Sequence, residues 1–141
     1  MADPLYLVAC CARKTSFTAP AEVLYTSDLF RKSRNYVQGQ GGQWFILSAK
    51  YGLVHPTDVI SPYDMTLQAM SPVLRRDWAG TVIARLQTMP LTDRPMIFLA
   101  GALYREHLVP WAGDRTQIPM QGMGIGQQKA WLKANTPGWI G

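Results

Sequence analysis

Length, composition and charge exclude several classes of protein. The chain has 141 residues, of which 48% are hydrophobic and 16% are charged. These values are typical of one compact domain, here residues 1–141, and exclude a disordered or coiled-coil protein. No apolar run is long enough to cross a bilayer. Fourteen lysines and arginines against nine acidic residues give a net charge of +5, which favours a polyanionic partner because these cations neutralise phosphates.

The N-terminus and the cysteines indicate a cytoplasmic protein. Asp3 and Pro4 precede a brief apolar run that is better explained as a first strand than as a signal peptide. Cys10 and Cys11 are adjacent and cannot close a loop, which is typical of a reducing compartment. Because only His55 and His107 remain to complete a ligand set, we expect no zinc or other metal site. No cofactor is predicted either.

The first half of the chain is predicted to alternate between strands and helices. Residues 5–10 form an apolar run suited to a central strand, and residues 13–20 form a loop. Ser27 or Asp28 caps a helix that runs to about Val37, and the glycines that follow end it. A second buried strand covers residues 44–48.

The second half of the chain continues this alternation. Ser71 and Pro72 begin the longest helix, which runs toward Pro90. The side chains predicted for its core face are Val73, Leu74, Trp78, Val82, Ile83 and Leu86. A third strand at 96–100, a helix at 103–108, a fourth strand at 116–119 and a closing helix at 126–134 follow. This order predicts a three-layer α/β/α fold with a mainly parallel central sheet of about four strands.

Polar residues gather where the three clearest strands end. In open parallel sheets, ligands bind beyond the carboxyl ends of the strands, so these residues are expected to share one crevice. The candidate substrate- or phosphate-binding residues are Cys10, Arg13, Lys14, Ser48, Lys50, Tyr51, Gly52, Gly101, Tyr104 and Arg105. Two have simpler explanations, since Gly101 fits a tight strand-to-helix turn and Cys10 fits a small buried side chain as well as a nucleophile.

A glycine-rich segment near the C-terminus superficially resembles a dinucleotide fingerprint. It spans residues 122–127 as Gly-Met-Gly-Ile-Gly-Gln. No further strand or acidic residue follows at the required distance, so the fingerprint interpretation fails. We interpret it as a turn that brings Gln127 or Gln128 to the site from the opposite side.

Residues 46–67, ILSAKYGLVHPTDVISPYDMTL, resemble the signature of the YaaA-related proteins. In that signature a strand ends in Leu-Ser, a Tyr-Gly turn follows, and Pro-Tyr comes about a dozen residues later. The segments LVACCARK, LYTSDLFRKSRNY, FLAGALYREHL and PMQGMGIGQQKAWL extend the resemblance over nearly the whole chain. It is closest to a small single-domain branch whose members are mostly of unknown function.

The resemblance implies a fold and a class of ligand. The larger YaaA proteins are implicated in peroxide stress and DNA binding, although they carry additional helices for which this chain has little room. More distantly, the core resembles the uracil-DNA glycosylase fold and the glycosylase-like domain of archaeal tRNA-guanine modification enzymes. The implied partner is therefore a nucleic acid, DNA rather than RNA, or a nucleotide.

Two hypotheses follow for the function. In the first, the protein is an enzyme that cleaves an N-glycosidic bond or modifies a base, with Asp64 stabilising the cationic sugar and Tyr63 stacking on the base. Asp64 also fits a simple turn cap after Pro62. In the second, the protein binds DNA or a nucleotide without catalysis, in a stress-response role.

Overall fold

The computed structural model describes residues 3–9, 14–90 and 94–136. Its strands are β1 (Leu5–Ala9), β2 (Ala19–Pro20), β3 (Gln43–Ser48), β4 (Gly52–Val54), β5 (Val59–Ile60), β6 (Met96–Leu99) and β7 (Thr116–Gln117). Its α-helices are α1 (Ala21–Leu24), α2 (Asp28–Gln40), α3 (Pro72–Gln87), α4 (Ala102–Arg105), α5 (Leu108–Ala112) and α6 (Ile125–Ala134). Two 3₁₀ turns lie at Leu67–Ala69 and Gly113–Arg115.

A five-stranded sheet in the order β4-β3-β1-β6-β7 forms the centre of the protein. Strands β3, β1, β6 and β7 are parallel, and β4 runs antiparallel to β3. In the central register, Leu7 lies between Phe45 and Phe98. The α/β class with a mainly parallel sheet is confirmed. Strands β2 and β5 form a separate antiparallel ribbon.

The predicted strand count of about four is wrong because a hairpin follows β3. The sequence predicts a polar loop after Ser48, but Ser48 pairs with Gly52 across a turn of three residues. Gly52 has φ +74°, a conformation that glycine adopts without strain. The chain therefore reverses at once, and β4 adds a buried antiparallel edge.

Hydrophobic side chains alternate between the two faces of the sheet, and helices cover both. Leu5, Leu7, Phe45, Leu47 and Phe98 pack into one core with α3 and α5. The opposite core contains Tyr6, Val8, Trp44, Ile46 and Leu99 together with residues of α2 and α6. This alternation follows from the two-residue repeat of a strand, and it places the sheet between two helical layers.

Helix α3 begins as predicted, but its core face is shorter than predicted. The Ser71 hydroxyl accepts a hydrogen bond from the Leu74 amide at 3.2 Å, and Pro72 occupies the first turn. Val73 and Leu74 are 56% and 55% exposed, so their assignment to the core is wrong. Leu74 lies one turn before Trp78 on the same face of α3, and the side chains on that face are buried only from Trp78 onward.

The helix predicted at 103–108 is two short helices, α4 and α5. Pro110 lies inside α5 rather than beyond a helix end. It occupies the first turn, where backbone N–H groups have no intrahelical acceptor, so a proline is tolerated. Among the helices in the described ranges, none has the length and apolar character that a bilayer span requires.

Candidate functional site

A cleft opens at the carboxyl edge of the sheet, where the order of the parallel strands reverses. The chain passes from β1 to β3 on one side and then crosses β1 to reach β6 on the other. Such a switch point leaves a crevice between the two crossovers. The cleft has a volume of 390 Å³, and its walls include Ala9, Leu99 and Ala100 at the strand ends. This volume lies within the range of small-molecule sites.

The cleft combines apolar walls with a few polar side chains. Leu29 and Phe30 of α2 and Met120 and Met123 of the segment before α6 supply apolar surface. The polar and charged side chains that line it are Ser33, Tyr104, Arg105, Gln121 and Gln128. This composition, mostly apolar with a small number of placed hydrogen-bonding groups, is typical of a binding site for an organic ligand.

Arg105 is fixed at the cleft by the backbone of the loop after β6. Its Nε donates a hydrogen bond to the carbonyl of Ala100 at 2.9 Å. Within the described ranges its two Nη nitrogens have no acceptor, and the residue is half-buried. Gly101, Tyr104 and Arg105 all line the cleft, so the structure brings together the three residues predicted after the third strand.

Ser33 is a lining residue that sequence reasoning missed. It is only 3% exposed, lies on the inward face of α2 and lines the cleft. Its hydroxyl makes no hydrogen bond to any described residue, whereas a helical serine commonly bonds the carbonyl one turn earlier. The available signal was a hydroxyl on an otherwise apolar helix face.

The glycine-rich segment forms the start of α6 at the cleft. Gly122 has φ +81°, and Gly124 is the N-cap residue. Gln127 is exposed, and its Oε1 accepts a hydrogen bond from the Gly124 amide at 2.9 Å. Gln128, its neighbour, lines the cleft and donates through Nε2 to the Met123 carbonyl. The predicted residue Gln127 therefore serves the helix end, while the predicted approach to the site is made by Gln128.

An ion pair between Asp28 and Lys129 links the two helices that form one side of the cleft. The Nζ of Lys32 lies 2.7 Å from one oxygen of the Asp28 carboxylate, and the Nζ of Lys129 lies 3.3 Å from the other. The hydrogen bond from Lys32 is the main cause of a lowered pKa at Asp28, with Lys129 contributing. Because Asp28 and Lys32 belong to α2 and Lys129 to α6, the carboxylate connects the two helices.

A second group of polar residues, the tyrosine cluster, lies at the end of β3. It consists of Tyr25, Ser48, Tyr51 and Tyr63. The Tyr63 hydroxyl is 2.7 Å from the Tyr25 hydroxyl and 2.7 Å from Ser48 Oγ. Ser48 Oγ also accepts a hydrogen bond from the Tyr51 amide at 3.1 Å. Tyr25 and Ser48 are fully buried, so this is a built network rather than a surface contact.

Both predicted lysines lie on the rings of the tyrosine cluster. Lys14 Nζ is 4.4 Å from the centroid of the Tyr63 ring, and Lys50 Nζ is 5.3 Å from that of Tyr51. The two rings are themselves in edge contact, with centroids 5.5 Å apart. Cations at these distances are attracted by the ring quadrupole. The structure thus brings Lys14, Lys50, Ser48, Tyr51 and Tyr63 together, but none of them lines the cleft. The residues predicted to share one crevice are therefore divided into two groups.

Ser48 and Trp78 connect the tyrosine cluster to the cleft. The indole Nε1 of Trp78 donates to the Ser48 carbonyl at 2.9 Å. The Trp78 ring packs edge-on against Tyr104, with centroids 5.6 Å apart, and Tyr104 lines the cleft. Both Tyr63 and Tyr104 contact the cores on the two sides of the sheet, so they lie across its carboxyl edge.

Four of the predicted site residues, Asp64, Cys10, Arg13 and Gly52, are not part of this assembly as described. Asp64 is exposed, makes no hydrogen bond or ion pair with any described residue, and is not among the cleft-lining residues. Cys10 and Arg13 lie outside the described residues. Gly52 is explained by the β3–β4 turn, where its positive φ is required. In the described ranges no three His, Cys, Asp or Glu side chains are grouped as metal ligands would be.

These features define an α/β protein with a ligand-sized cleft at the switch point of a mainly parallel sheet. Residues 5–134 match the model of a family of unknown function, DUF6884, and the chain belongs to that family. No curated protein and no solved structure matches the chain. The resemblance to YaaA-related proteins rests on the sequence motifs alone.

Proposed function

We propose that this protein binds a nucleotide, either free or as part of a nucleic acid, with the base in the cleft at the carboxyl edge of the sheet. The observation that carries the proposal is the composition of that cleft at the switch point. One arginine, two side-chain amides and aromatic surface line a space of 390 Å³. A base needs flat apolar surface and hydrogen-bonding edges, and a phosphate needs a cation, so these groups match its parts.

The base is assigned to the apolar walls and the glutamines. The partly exposed Tyr104 ring and Met123 side chain offer surface for stacking and dispersion contacts, and the buried Phe30 and Met120 complete the apolar wall. The amide groups of Gln121 and Gln128 carry both a donor and an acceptor, which is the pattern needed to pair with a base edge. The net charge of +5 adds long-range attraction for a phosphorylated ligand.

The sequence resemblance supports the same class of ligand. The YaaA-like motifs and the more distant likeness to uracil-DNA glycosylases both point to nucleobases. The proposal therefore includes an arrangement of the layers like that of the uracil-DNA glycosylases. In either case DNA is the favoured polymer. A stress-response role of the YaaA kind would need only binding.

The proposal extends to cleavage of a glycosidic bond, and a substitution at Asp64 tests this extension. Cleavage needs a carboxylate beside the sugar, and Asp64 follows Tyr63 of the tyrosine cluster rather than lining the cleft. We expect Asp64→Asn to fold normally, because the carboxylate is exposed. If wild-type protein releases a base from a modified oligonucleotide, detected by mass spectrometry, the variant must lose that release while retaining binding. Release that persists in the variant contradicts the role of Asp64.

Titration calorimetry with the four nucleosides and their 5′-monophosphates tests the binding proposal. We expect at least one base to bind, and Gln128→Ala to weaken it about 2- to 10-fold, the effect of one neutral hydrogen bond. Gln87→Ala is the matched control, because Gln87 is exposed at the end of α3 and does not line the cleft. Equal weakening in both variants, or no binding of any nucleoside, nucleotide or short oligonucleotide, contradicts the proposal.

A further inference from the structure

The cleft contains hydrogen-bond donors on three separate elements that have no acceptor in the described part of the chain. Resting on the proposed function, we propose that the cleft holds a terminal phosphate, the phosphomonoester of a nucleotide, between the Ser33 hydroxyl, the Arg105 guanidinium and the first backbone amides of α6. Each donor is argued from its own environment.

Ser33 is the observation that points most directly to a ligand. The Ser33 residue is only 3% exposed, and polar side chains that are this deeply buried usually have a hydrogen-bond partner. Ser33 lines the cleft, and its hydroxyl has no acceptor or donor in the described part of the chain. An acceptor oxygen of a bound ligand would complete its hydrogen bonding.

Arg105 supplies the charge. Its Nε is already bonded to the Ala100 carbonyl, which fixes the plane of the guanidinium group. The two Nη nitrogens are unoccupied within the described ranges, and the residue lines the cleft. The two Nη nitrogens lie in one plane whose orientation is fixed by the Nε hydrogen bond, and this geometry matches two oxygens of a phosphate.

The start of α6 supplies the third set of donors. The amides of Ile125, Gly126 and Gln127 have no acceptor among the described residues, since the N-cap residue Gly124 has no side chain to cap them. Ile125 lines the cleft. A methyl group added at Gly126 would meet no atom within 4 Å, so the approach to this helix end is open. The helix dipole favours negative charge here.

The number and arrangement of donors favour a phosphomonoester. A phosphomonoester has three non-bridging oxygens and a charge between about −1.5 and −2, whereas an internal phosphodiester has two such oxygens and one charge. Three donor sets on α2, α4 and α6 match three oxygens. The phosphate comes from a free mononucleotide or from the phosphorylated end of an oligonucleotide, and the two sources are separated experimentally.

The experiment compares the affinity of a nucleoside with that of its 5′-monophosphate. For the base that wild-type protein prefers, we expect the monophosphate to bind at least tenfold more tightly, because charge-assisted hydrogen bonds are the strong ones. A 5′-phosphorylated trinucleotide and its unphosphorylated form make the second arm. A phosphate preference in the first arm assigns a free nucleotide, and a preference confined to the second assigns a nucleic-acid end. Either supports the terminal phosphate.

Three variants identify the donors. Arg105→Gln and Ser33→Ala should each reduce the phosphate preference several-fold while nucleoside affinity stays constant. Ile125→Pro removes one amide hydrogen at the first helical position, where proline is favoured, and Gly124 before it is already extended with ψ 171°. Ile125→Ala is the matched control, because it removes the same exposed side chain but keeps the amide.

The outcomes separate this inference from the proposed function. If the nucleoside binds as tightly as its monophosphate in both arms, the phosphate site is wrong while base binding in the cleft stands. If the nucleoside, its monophosphate and both trinucleotides all fail to bind, the phosphate site and the proposed function are both wrong. Ser33→Ala should also leave the melting temperature unchanged or raised, since the Ser33 hydroxyl makes no hydrogen bond to any described residue. A fall of several degrees would show that the hydroxyl serves the fold and would overturn its assignment to a ligand.

Discussion

Tyr63→Phe tests whether the tyrosine cluster is a stabilising network. The substitution removes one oxygen and keeps the ring, so the hydroxyls of Tyr25 and Ser48 each lose a partner at 2.7 Å. Both residues are fully buried, and a buried polar group deprived of its partner costs about 1–3 kcal/mol. Ser48 keeps the Tyr51 amide, which places its loss at the low end. We expect the free energy of unfolding to fall by about 2 kcal/mol.

Urea denaturation and calorimetry measure this loss. With an unfolding entropy of about 2.1 cal/mol/K per residue, a loss of 2 kcal/mol lowers the melting temperature by about 7 °C. Tyr51→Phe is the matched control, because its hydroxyl makes a long, exposed bond of 3.3 Å to the Ser61 carbonyl. We expect it to cost less than about 0.5 kcal/mol.

A double-mutant cycle decides whether the two tyrosines act together. In Tyr25→Phe/Tyr63→Phe both hydroxyls are absent, so the combined loss should be smaller than the sum of the single losses by about 1 kcal/mol. Additive losses, or equal losses in Tyr63→Phe and Tyr51→Phe, would refute the network. Tyr63→Phe should leave nucleotide affinity within a few fold, because Tyr63 does not line the cleft and the described contacts that connect the cluster to it run through Trp78 and Tyr104.

Three further predictions concern the frame around the site. Leu74→Glu should raise stability by about 0.5–1 kcal/mol in urea denaturation, because Leu74 is 55% exposed at the third position of α3, where glutamate completes a capping box with the serine N-cap. Gly80→Ala, inside α3 with open space at Cβ, should stabilise by about 0.5–1 kcal/mol, whereas Gly41→Ala, at φ +73°, should destabilise. The lowered pKa of Asp28 means that its ion pairs stabilise the fold above its unfolded pKa of about 3.9 and lose that effect as pH falls through the folded value. The melting temperatures of wild type and Asp28→Asn should therefore differ slightly at pH 7 and converge below about pH 4.

The parts of the fold that follow from periodicity were predictable. Strands β1, β3 and β6 are continuous apolar runs, and α2 and α3 carry clear capping residues, so their positions agree with the sequence to within a few residues. Strand β4 and the β2–β5 ribbon were not predictable, because each has only two or three residues and depends on pairing with a partner elsewhere in the chain.

The site was predictable by position but not by individual side chain. Parallel strands place their carboxyl ends at one edge, and this predicted one crevice for Lys14, Ser48, Gly101 and Arg105. The structure places Gly101 and Arg105 at the cleft and Lys14 and Ser48 in the tyrosine cluster. Ser33 was missed because its role depends on how α2 lies against the sheet, which no local pattern records. The cleft is lined by Gln128 rather than by the predicted Gln127 for the same reason. A helix turns by about 100° per residue, and packing decides which of two neighbouring side chains faces the cleft.

The β2–β5 ribbon decides how the loops on the tyrosine-cluster side of the edge can move. It pairs residues 19–20 with residues 59–60, so the segment that carries Lys14 and the segment that carries Tyr63 are tied together outside the main sheet. Its Ala19–Ile60 pair packs against a core, whereas its Pro20–Val59 pair is exposed, so only half of the ribbon is held by apolar contacts. Opening of the ribbon would release both segments as one cooperative unit while the five-stranded sheet stays intact. Amide exchange in this region should consequently report a single local unfolding event, well below the energy of global unfolding.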